Sequence, residues 1–277
     1  MMNMMSPVTP APDYDAIKTK QNAAWASGDY GKIGVTLQLT GEQLAEALDV
    51  PVGAKVLDVA AGNGNITLAM ARRGAEVTST DYVDTLLAQG RARAEAEHLD
   101  ITFEIADVEK LPFSAGEFSA VVSTFGAMFA PNQQQTAAEM LRVCASGGKI
   151  GMANWTPSGF IGQLFKTLGK HVAPPAGVQS PANWGNMDWV NETFEPASSA
   201  IDATSRDYVF RYATPAEFVD FFRTFYGPVH KAFLAVGEAG AEALEADILN
   251  TVETFNVAKD GSMKVPSEYL ELVITKA

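Results

Sequence analysis

A β-branched run, AKVLDVA at 54–60, passes straight into the glycine turn AGNGN and then into the helical pattern ITLAMARR. This strand, turn and helix constrain the fold most, because a strand buried on both faces takes parallel neighbours, and parallel neighbours need a crossover helix. The alternation continues. EVTSTD at 76–81 predicts a second strand, TLLAQGRARAEAEHL at 85–99 a solvent-faced helix, ITFEIAD at 101–107 a third strand and FSAVVSTF at 118–125 a fourth. A helix is expected from Pro131 to Arg142, with Gly147 and Gly148 ending it, and KIGMANW at 149–155 makes a fifth strand. Repeated βα units of this kind predict an α/β fold built on a mostly parallel sheet.

Outside that repeat the pattern is looser. Two short helices are predicted near Lys18–Ala26 and Thr40–Leu48, joined by the glycine-rich SGDYGKIG. After Trp155, SGFIGQLFKTLGKHV reads as helical, whereas APPAGVQSPANWG at 173–185 is rich in turn formers. Such a stretch can bend over a pocket or serve as an ordinary surface connection. The chain then gives a strand-like DATSRDYVFRY, a helix from Pro215 into Phe225, another around 231–247 and a last strand, YLELVITK at 269–276. There is no internal repeat.

The glycine turn also limits the chemistry. Gly62 and Gly64 permit positive φ and leave the strand end open to close approach by a ligand over the following helix N-terminus. A dinucleotide fingerprint would place a third glycine or an alanine at position 67, where this chain has Thr67, and a phosphate-binding P-loop would need a lysine that Asn65 does not supply. Asp58, inside the strand end, would be costly as an isolated buried charge and so needs loop amides or a cationic ligand group. Asp81 ends the second strand at about the separation from the turn at which an acid accepts ribose hydroxyls, and Asp107 with the Val108 amide follows the third. The plainer alternative is a tight turn with Asp81 and Asp107 as strand-end caps.

Composition narrows the partners. The 277 residues are 47% apolar and 19% charged, ordinary values for a folded domain. Twenty basic side chains against 33 acids give a formal net charge of −13, which disfavours nucleic acid and anionic membrane as partners. The one cysteine, Cys144, permits no internal disulfide, and His98, His171 and His230 are too scattered for a recognisable metal motif. The start, MMNMMSPVTP, lacks the features of a secretory signal, and no apolar stretch is long enough to span a membrane, so a cytoplasmic location is expected.

These motifs together resemble those of the class I S-adenosylmethionine-dependent methyltransferases, in particular the small-molecule branch that includes the ubiquinone and menaquinone methyltransferases. VLDVAAGNGN resembles the family's first motif and TSTD its acidic second, while ADVEKLPF at 106–113 and LRVCASGGKIGMANW at 141–155 resemble later segments. The likeness covers about 54–155, and Asn65 stands where the family often has a third glycine. It implies a Rossmann-like, seven-stranded, mostly parallel sheet with flanking helices and a pocket-covering insertion. The divisions expected are an N-terminal helical cover (1–50), a cofactor-binding core (51–155), a substrate-covering segment (156–200) and a C-terminal completion (201–277).

The resemblance also implies roles. S-adenosylmethionine would lie on Ala60, Gly62, Gly64 and Asn65, with Asp58 organising the turn, Asp81 and Tyr82 at the ribose, Asp107 and Val108 at the adenine, and Thr124 beside them. Trp25, Phe125, Met128, Phe129, Trp155, Phe160 and Trp184 would wall an acceptor site, although some can equally be core. His171 is the leading base candidate, followed by His230, and Tyr30 can orient the acceptor or the cofactor. No metal is required. The expected reaction is methyl transfer to a small aromatic or hydrophobic metabolite by a monomer or homodimer, with O-methylation slightly ahead of N- or C-methylation. The alternatives are a non-catalytic adenosyl-cofactor-binding regulatory or assembly module and, less favoured, an NAD-dependent oxidoreductase.

Overall fold

The computed structural model describes residues 12–27 and 29–277, so the methionine-rich start lies outside the described residues. Its centre is β1 (Lys55–Val59), a strand whose last four residues are buried. β1 pairs in parallel with β2 (Glu76–Asp81) on one side, Val56 opposite Val77, and with β4 (Phe118–Thr124) on the other, Val56 opposite Ala120. β3 (Ile101–Ile105) extends the sheet beyond β2, and β5 (Cys144–Trp155) extends it beyond β4. β7 (Met263–Lys276) runs antiparallel between β5 and β6 (Ser198–Tyr212), giving the order β3-β2-β1-β4-β5-β7-β6. Because successive connections leave β1 toward β3 and then return to β4, the ends of β1 and β4 diverge into a crevice, the usual ligand position in an open α/β sheet.

Ten helices are found among the described residues. α1 (Tyr14–Ser27), α2 (Tyr30–Gly34) and α3 (Gln38–Leu48) precede the sheet. α4 (Asn65–Arg72), α5 (Asp84–Ala96) and α6 (Gln133–Val143) are its crossovers, and α7 (Phe160–His171), α8 (Met187–Phe194), α9 (Pro215–Phe225) and α10 (Gly227–Phe255) follow β5. Sheet residues such as Leu57, Val121, Ile150 and Leu272 are fully buried in the main core. Phe160, Phe210, Phe218 and Phe222 form an aromatic extension between α7, α9 and β6.

Three sequence expectations are corrected. The glycines at 147 and 148 do not end α6. It stops at Val143, Cys144 pairs with Phe118, and the register resumes at Lys149 opposite Ala120, so Ala145–Gly148 bulge out of β5. The helix expected at 231–247 runs from Gly227 to Phe255 with a break at Gly237 (φ 62°, ψ −171°), and the last strand begins at Met263 rather than 269. Residues 173–185 are not among those that line the crevice. They carry a 3₁₀ turn at Pro181–Gly185 whose Trp184 is fully buried against Trp189 and Phe194. No described helix is long and apolar enough to cross a membrane.

Candidate active site

The crevice holds a cavity of about 640 Å³, including its mouth, floored by Ala60–Asn63 and Asn65 and walled by Asp81, Tyr82, Val108 and Thr124–Gly126. Its floor needs unusual backbone. Ala60, Gly62 and Gly64 have φ of 50°, 57° and 83°, which turn the chain from β1 into α4 within five residues. Gly126 closes the crossing with β4: a β-carbon there would lie 2.1 Å from the Ala60 carbonyl oxygen. Ser123 fixes the same crossing, its hydroxyl donating to the Val59 carbonyl at 2.9 Å and accepting the Ala127 N–H at 2.9 Å.

Asp81 is buried in the wall. Its Oδ2 accepts the Gly62 N–H at 2.9 Å and its Oδ1 the Val83 N–H at 2.8 Å, so the second strand's acid sets the position of the glycine turn. Burial pushes its carboxyl up to about 6, against the lowering effect of the backbone N–H groups of Val83, Gly62 and Tyr82. Asp58 sits beneath the turn and does not line the cavity. Its Oδ2 accepts the Thr67 hydroxyl, which also contacts Ser79 Oγ at 3.0 Å, and its Oδ1 has no partner among the described residues. Burial, opposed by Thr67 and reinforced by the nearby Asp81, raises this carboxyl to about 8. Thr67, the residue that breaks the dinucleotide fingerprint, is thus the hydrogen-bond donor that Asp58 uses.

Asn65, which replaces the family's third glycine, has a similar local explanation. Its Nδ2 donates to the Gly34 carbonyl at 2.7 Å, tying the turn to α2, and Arg93 Nη1 donates to Asn65 Oδ1 at 3.0 Å and to the Asn63 carbonyl at 2.7 Å. Val108 reaches the cavity whereas Asp107 does not line it. Asp107 Oδ1 accepts the Glu109 N–H and its Oδ2 pairs with Lys18 at 2.7 Å. Lys18 also reaches Glu109 at 3.0 Å. Burial works against the Lys18 charge, but hydrogen bonds and attraction from Asp107 and Glu109 outweigh it and hold its pKa above the ordinary value. Further along α1, Gln21 donates to the Phe129 carbonyl and Asn22 to the Tyr82 carbonyl, so this helix, rather than residues 173–185, lies across the cavity.

Trp25 and Tyr30 complete the wall and are packed edge to face at 5.5 Å. Past Tyr30, Phe125 and Phe129 is a second, narrow apolar pocket, large enough for about one water, that shares those three residues with the cleft. Trp155, Phe210, Phe222 and Tyr226 supply its other rings. Phe125 holds a left-handed φ of 55° and stacks on Trp155 at 4.0 Å, a strained backbone fixed by packing at the junction of the two spaces. Burial first, and then Asp81, raises the Tyr30 phenol far above its ordinary range.

Trp25, Tyr30, Phe125, Phe129 and Trp155 of the expected aromatic and orienting residues therefore meet around these cavities. Met128, Phe160 and Trp184 line neither and are core residues, each fully buried. Gly64 also lies outside the lining, as the cap of α4. The histidines are elsewhere: His171 pairs with Asp247 at 2.8 Å between α7 and α10, and His230 donates through Nδ1 to the Arg223 carbonyl at 3.0 Å. Sequence reasoning missed Lys18, Arg93, Phe210, Phe222 and Tyr226. The last two had a signal, since Phe218, Phe222 and Tyr226 repeat every four residues on one face of PAEFVDFFRTFY.

Comparison with known proteins agrees with this architecture. A family model described as a methyltransferase domain matches residues 56–148. An uncharacterized protein of Mycobacterium tuberculosis is 41% identical over 238 residues, covering 85% of this chain and 87% of that one. The demethylmenaquinone methyltransferase of Thermus thermophilus is 33% identical over 155 residues, 54% of this chain and 70% of that enzyme. Among solved structures, the YcgJ protein from Bacillus subtilis shares the fold, with a TM-score of 0.59 at 15% identity over 86% of this chain and 99% of that one. With the sheet order, the turn after β1 and a methyltransferase relative over most of that relative's length, this chain belongs to the class I S-adenosylmethionine-dependent methyltransferases.

Proposed function

We propose that the cleft binds S-adenosylmethionine and that the adjoining pocket holds a small aromatic or hydrophobic acceptor, methylated on oxygen in preference to nitrogen or carbon. The observation that carries this reading is the apolar pocket that shares Tyr30, Phe125 and Phe129 with the cleft. The cleft residues fit the cofactor. Asp81 is a buried carboxylate whose two oxygens each keep a lone pair beyond the backbone N–H groups they accept, and no cation is paired with it among the described residues, which suits two ribose hydroxyls. The turn Ala60–Gly64 offers close backbone approach to the methionine portion, and Val108, with Asp107 behind it, borders the adenine position.

When bound, this cofactor would supply a methyl group already activated on a sulfonium sulfur. The chain's task is then to align the acceptor and exclude water. Tyr30, Phe125 and Phe129 stand at the passage between the two spaces, and α1 closes the cleft from outside. No histidine lines either space, so His171 and His230 hold no part in the transfer on this reading. No lysine or arginine lines the cleft, in keeping with a small-molecule partner rather than nucleic acid.

Calorimetry with S-adenosylmethionine, S-adenosylhomocysteine and NAD tests the assignment. Both sulfur nucleosides should bind and NAD should not, and Asp81→Ala should weaken binding about 30-fold or more, the loss of charge-assisted hydrogen bonds to a buried carboxylate. Selective NAD binding, or sulfur-nucleoside affinity indifferent to Asp81, would overturn it.

A further inference from the structure

The outer edge of the sheet carries a charge pattern that a single chain leaves unresolved. β6 is an edge strand that pairs with β7 alone. From Ala200 to Tyr212 it has neither a proline nor a bulge, devices that commonly blunt such an edge. β5 joins β7 only from Tyr269 onward, so the earlier part of β7 has β6 as its one neighbouring strand.

One face of this hairpin is inward, with Phe210, Met263, Val265 and Ser267 buried. On the outward face, like charges oppose each other. Asp207 lies across from Glu268 and, four residues on, Arg211 lies across from Lys264, with Val209 and Pro266 between them. Asp207, Arg211 and Lys264 are exposed and Glu268 is half-buried, and none of the four makes an ion pair among the described residues. The Lys264 N–H donates to Asn256 Oδ1 and its carbonyl accepts the Val257 N–H, while the Glu268 carbonyl accepts the Thr156 N–H. Both residues therefore turn their backbone groups away from β6, and Pro266 has no N–H to offer it. These are the non-hydrogen-bonded pairs of the ladder, in which side chains approach most closely, so each like-charge pair is destabilising. The two pairs are about 13 Å apart along the strand, beyond the screening length of about 8 Å at physiological ionic strength, so neither relieves the other within one chain.

The same alternation turns the N–H and C=O groups of Asp207, Val209 and Arg211 out to the open edge. A second copy of the chain, related by a two-fold axis through Val209 and perpendicular to the sheet, meets those groups with its own. Paired residues share a face of a ladder, and such an axis keeps every residue on its face, so Val209 pairs with its own copy and Asp207 with the second copy's Arg211. Each row across the four strands then reads Glu268, Asp207, Arg211, Lys264, the acidic pair of one chain beside the basic pair of the other.

We propose that the β6 edge, centred on Val209, is the interface of an antiparallel homodimer of this chain, with its register set by Asp207 and Arg211. The cleft lies at the ends of β1 and β4, across β5 and β7 from this edge, and Phe210, the inward neighbour of Val209, lines the apolar pocket. Pairing therefore braces one wall of the pocket from outside.

Sedimentation velocity over a concentration series tests this with the whole protein and the variants Asp207→Arg and Arg211→Asp. The unsubstituted chain should dimerise, and more weakly in high salt. Each variant should raise the dimer dissociation constant about tenfold or more, since it turns two attractive cross-strand pairs into repulsive ones. An equimolar mixture of the two variants should recover the dimer, because the arginines of one copy then face the aspartates of the other in both rows. A folding defect in either chain would not produce that recovery. Amide exchange at Asp207, Val209 and Arg211 should also slow as the unsubstituted chain is concentrated. A monomer at every concentration, a dimer indifferent to both variants, a mixture that fails to associate, or edge amides that exchange no more slowly in the dimer would each overturn the proposal.

Discussion

The carboxyl of Asp58 offers a quantitative check on the electrostatics beneath the glycine turn. It is fully buried, it has one hydrogen-bond donor in Thr67, and its pKa rises from 3.8 to about 8. An acid whose folded pKa lies above its unfolded value binds its proton more tightly in the folded state. Its contribution is therefore most favourable below the unfolded value near 4 and is lost as pH rises toward 8, after which no more is lost. Between pH 5.5 and 7.5 this single group should cost the folded protein about 2–3 kcal/mol, at about 1.4 kcal/mol per pH unit. Asp58→Asn keeps an oxygen for Thr67 and removes the titration. The assay is urea unfolding of substituted and unsubstituted protein without ligand, at half-unit steps from pH 5.5 to 8.5, read as the difference between the two. That difference should move in favour of the Asn variant by about 2 kcal/mol or more up to pH 7.5 and level off above pH 8. A difference independent of pH would refute the argument and mean that Asp58 is ionised throughout the range, with Thr67 and the turn amides compensating its burial.

The parts of this molecule that could be read from the sequence are those fixed by local chemistry. VLDVAAGNGN declares a strand, a positive-φ turn and a helix start within ten residues, and Asp81 lies at the spacing that lets it accept the Gly62 N–H. The parts that could not be read depend on which distant segments meet. Lys18 reaches Asp107 across 89 positions and His171 reaches Asp247 across 76, and nothing in a basic side chain's immediate neighbourhood names its partner. The aromatics show the same limit. Trp155 and Trp184 are equally apolar and equally near turn-forming sequence, yet one walls a cavity and the other fills the core against Trp189 and Phe194. Burial preference drives both out of water and does not distinguish a packed interior from a ligand chamber. Proline and glycine at 173–185 marked a change of direction correctly, but a turn-rich segment carries no information about what it passes over.

Two further outcomes separate the roles assigned here. His171→Gln should lower stability by about 0.5–1 kcal/mol through loss of a partly exposed pair with Asp247, and should leave methyl transfer within about twofold in a transfer assay, since the ring lines neither cavity. A pH-dependent fall of tenfold or more would return the histidine to the reaction. Lys18→Ala addresses the cover over the cleft. Lys18 is the one cation that α1 brings to Asp107 and Glu109 among the described residues, while the other ties of that helix, from Gln21 and Asn22, are neutral. A partly exposed ion pair is worth little to global stability, so the unfolding midpoint should scarcely move, but a helix with no fully buried residue depends on such ties to stay closed. Stopped-flow release of S-adenosylhomocysteine should therefore speed up about three- to tenfold in the variant, and in the unsubstituted protein it should speed up with salt, which screens the pair. If release is unchanged by both the substitution and the salt, ligand exchange does not pass beneath α1, and the opening must lie on the side of Phe129 and Ala130, where the cleft wall is formed by the turn after β4.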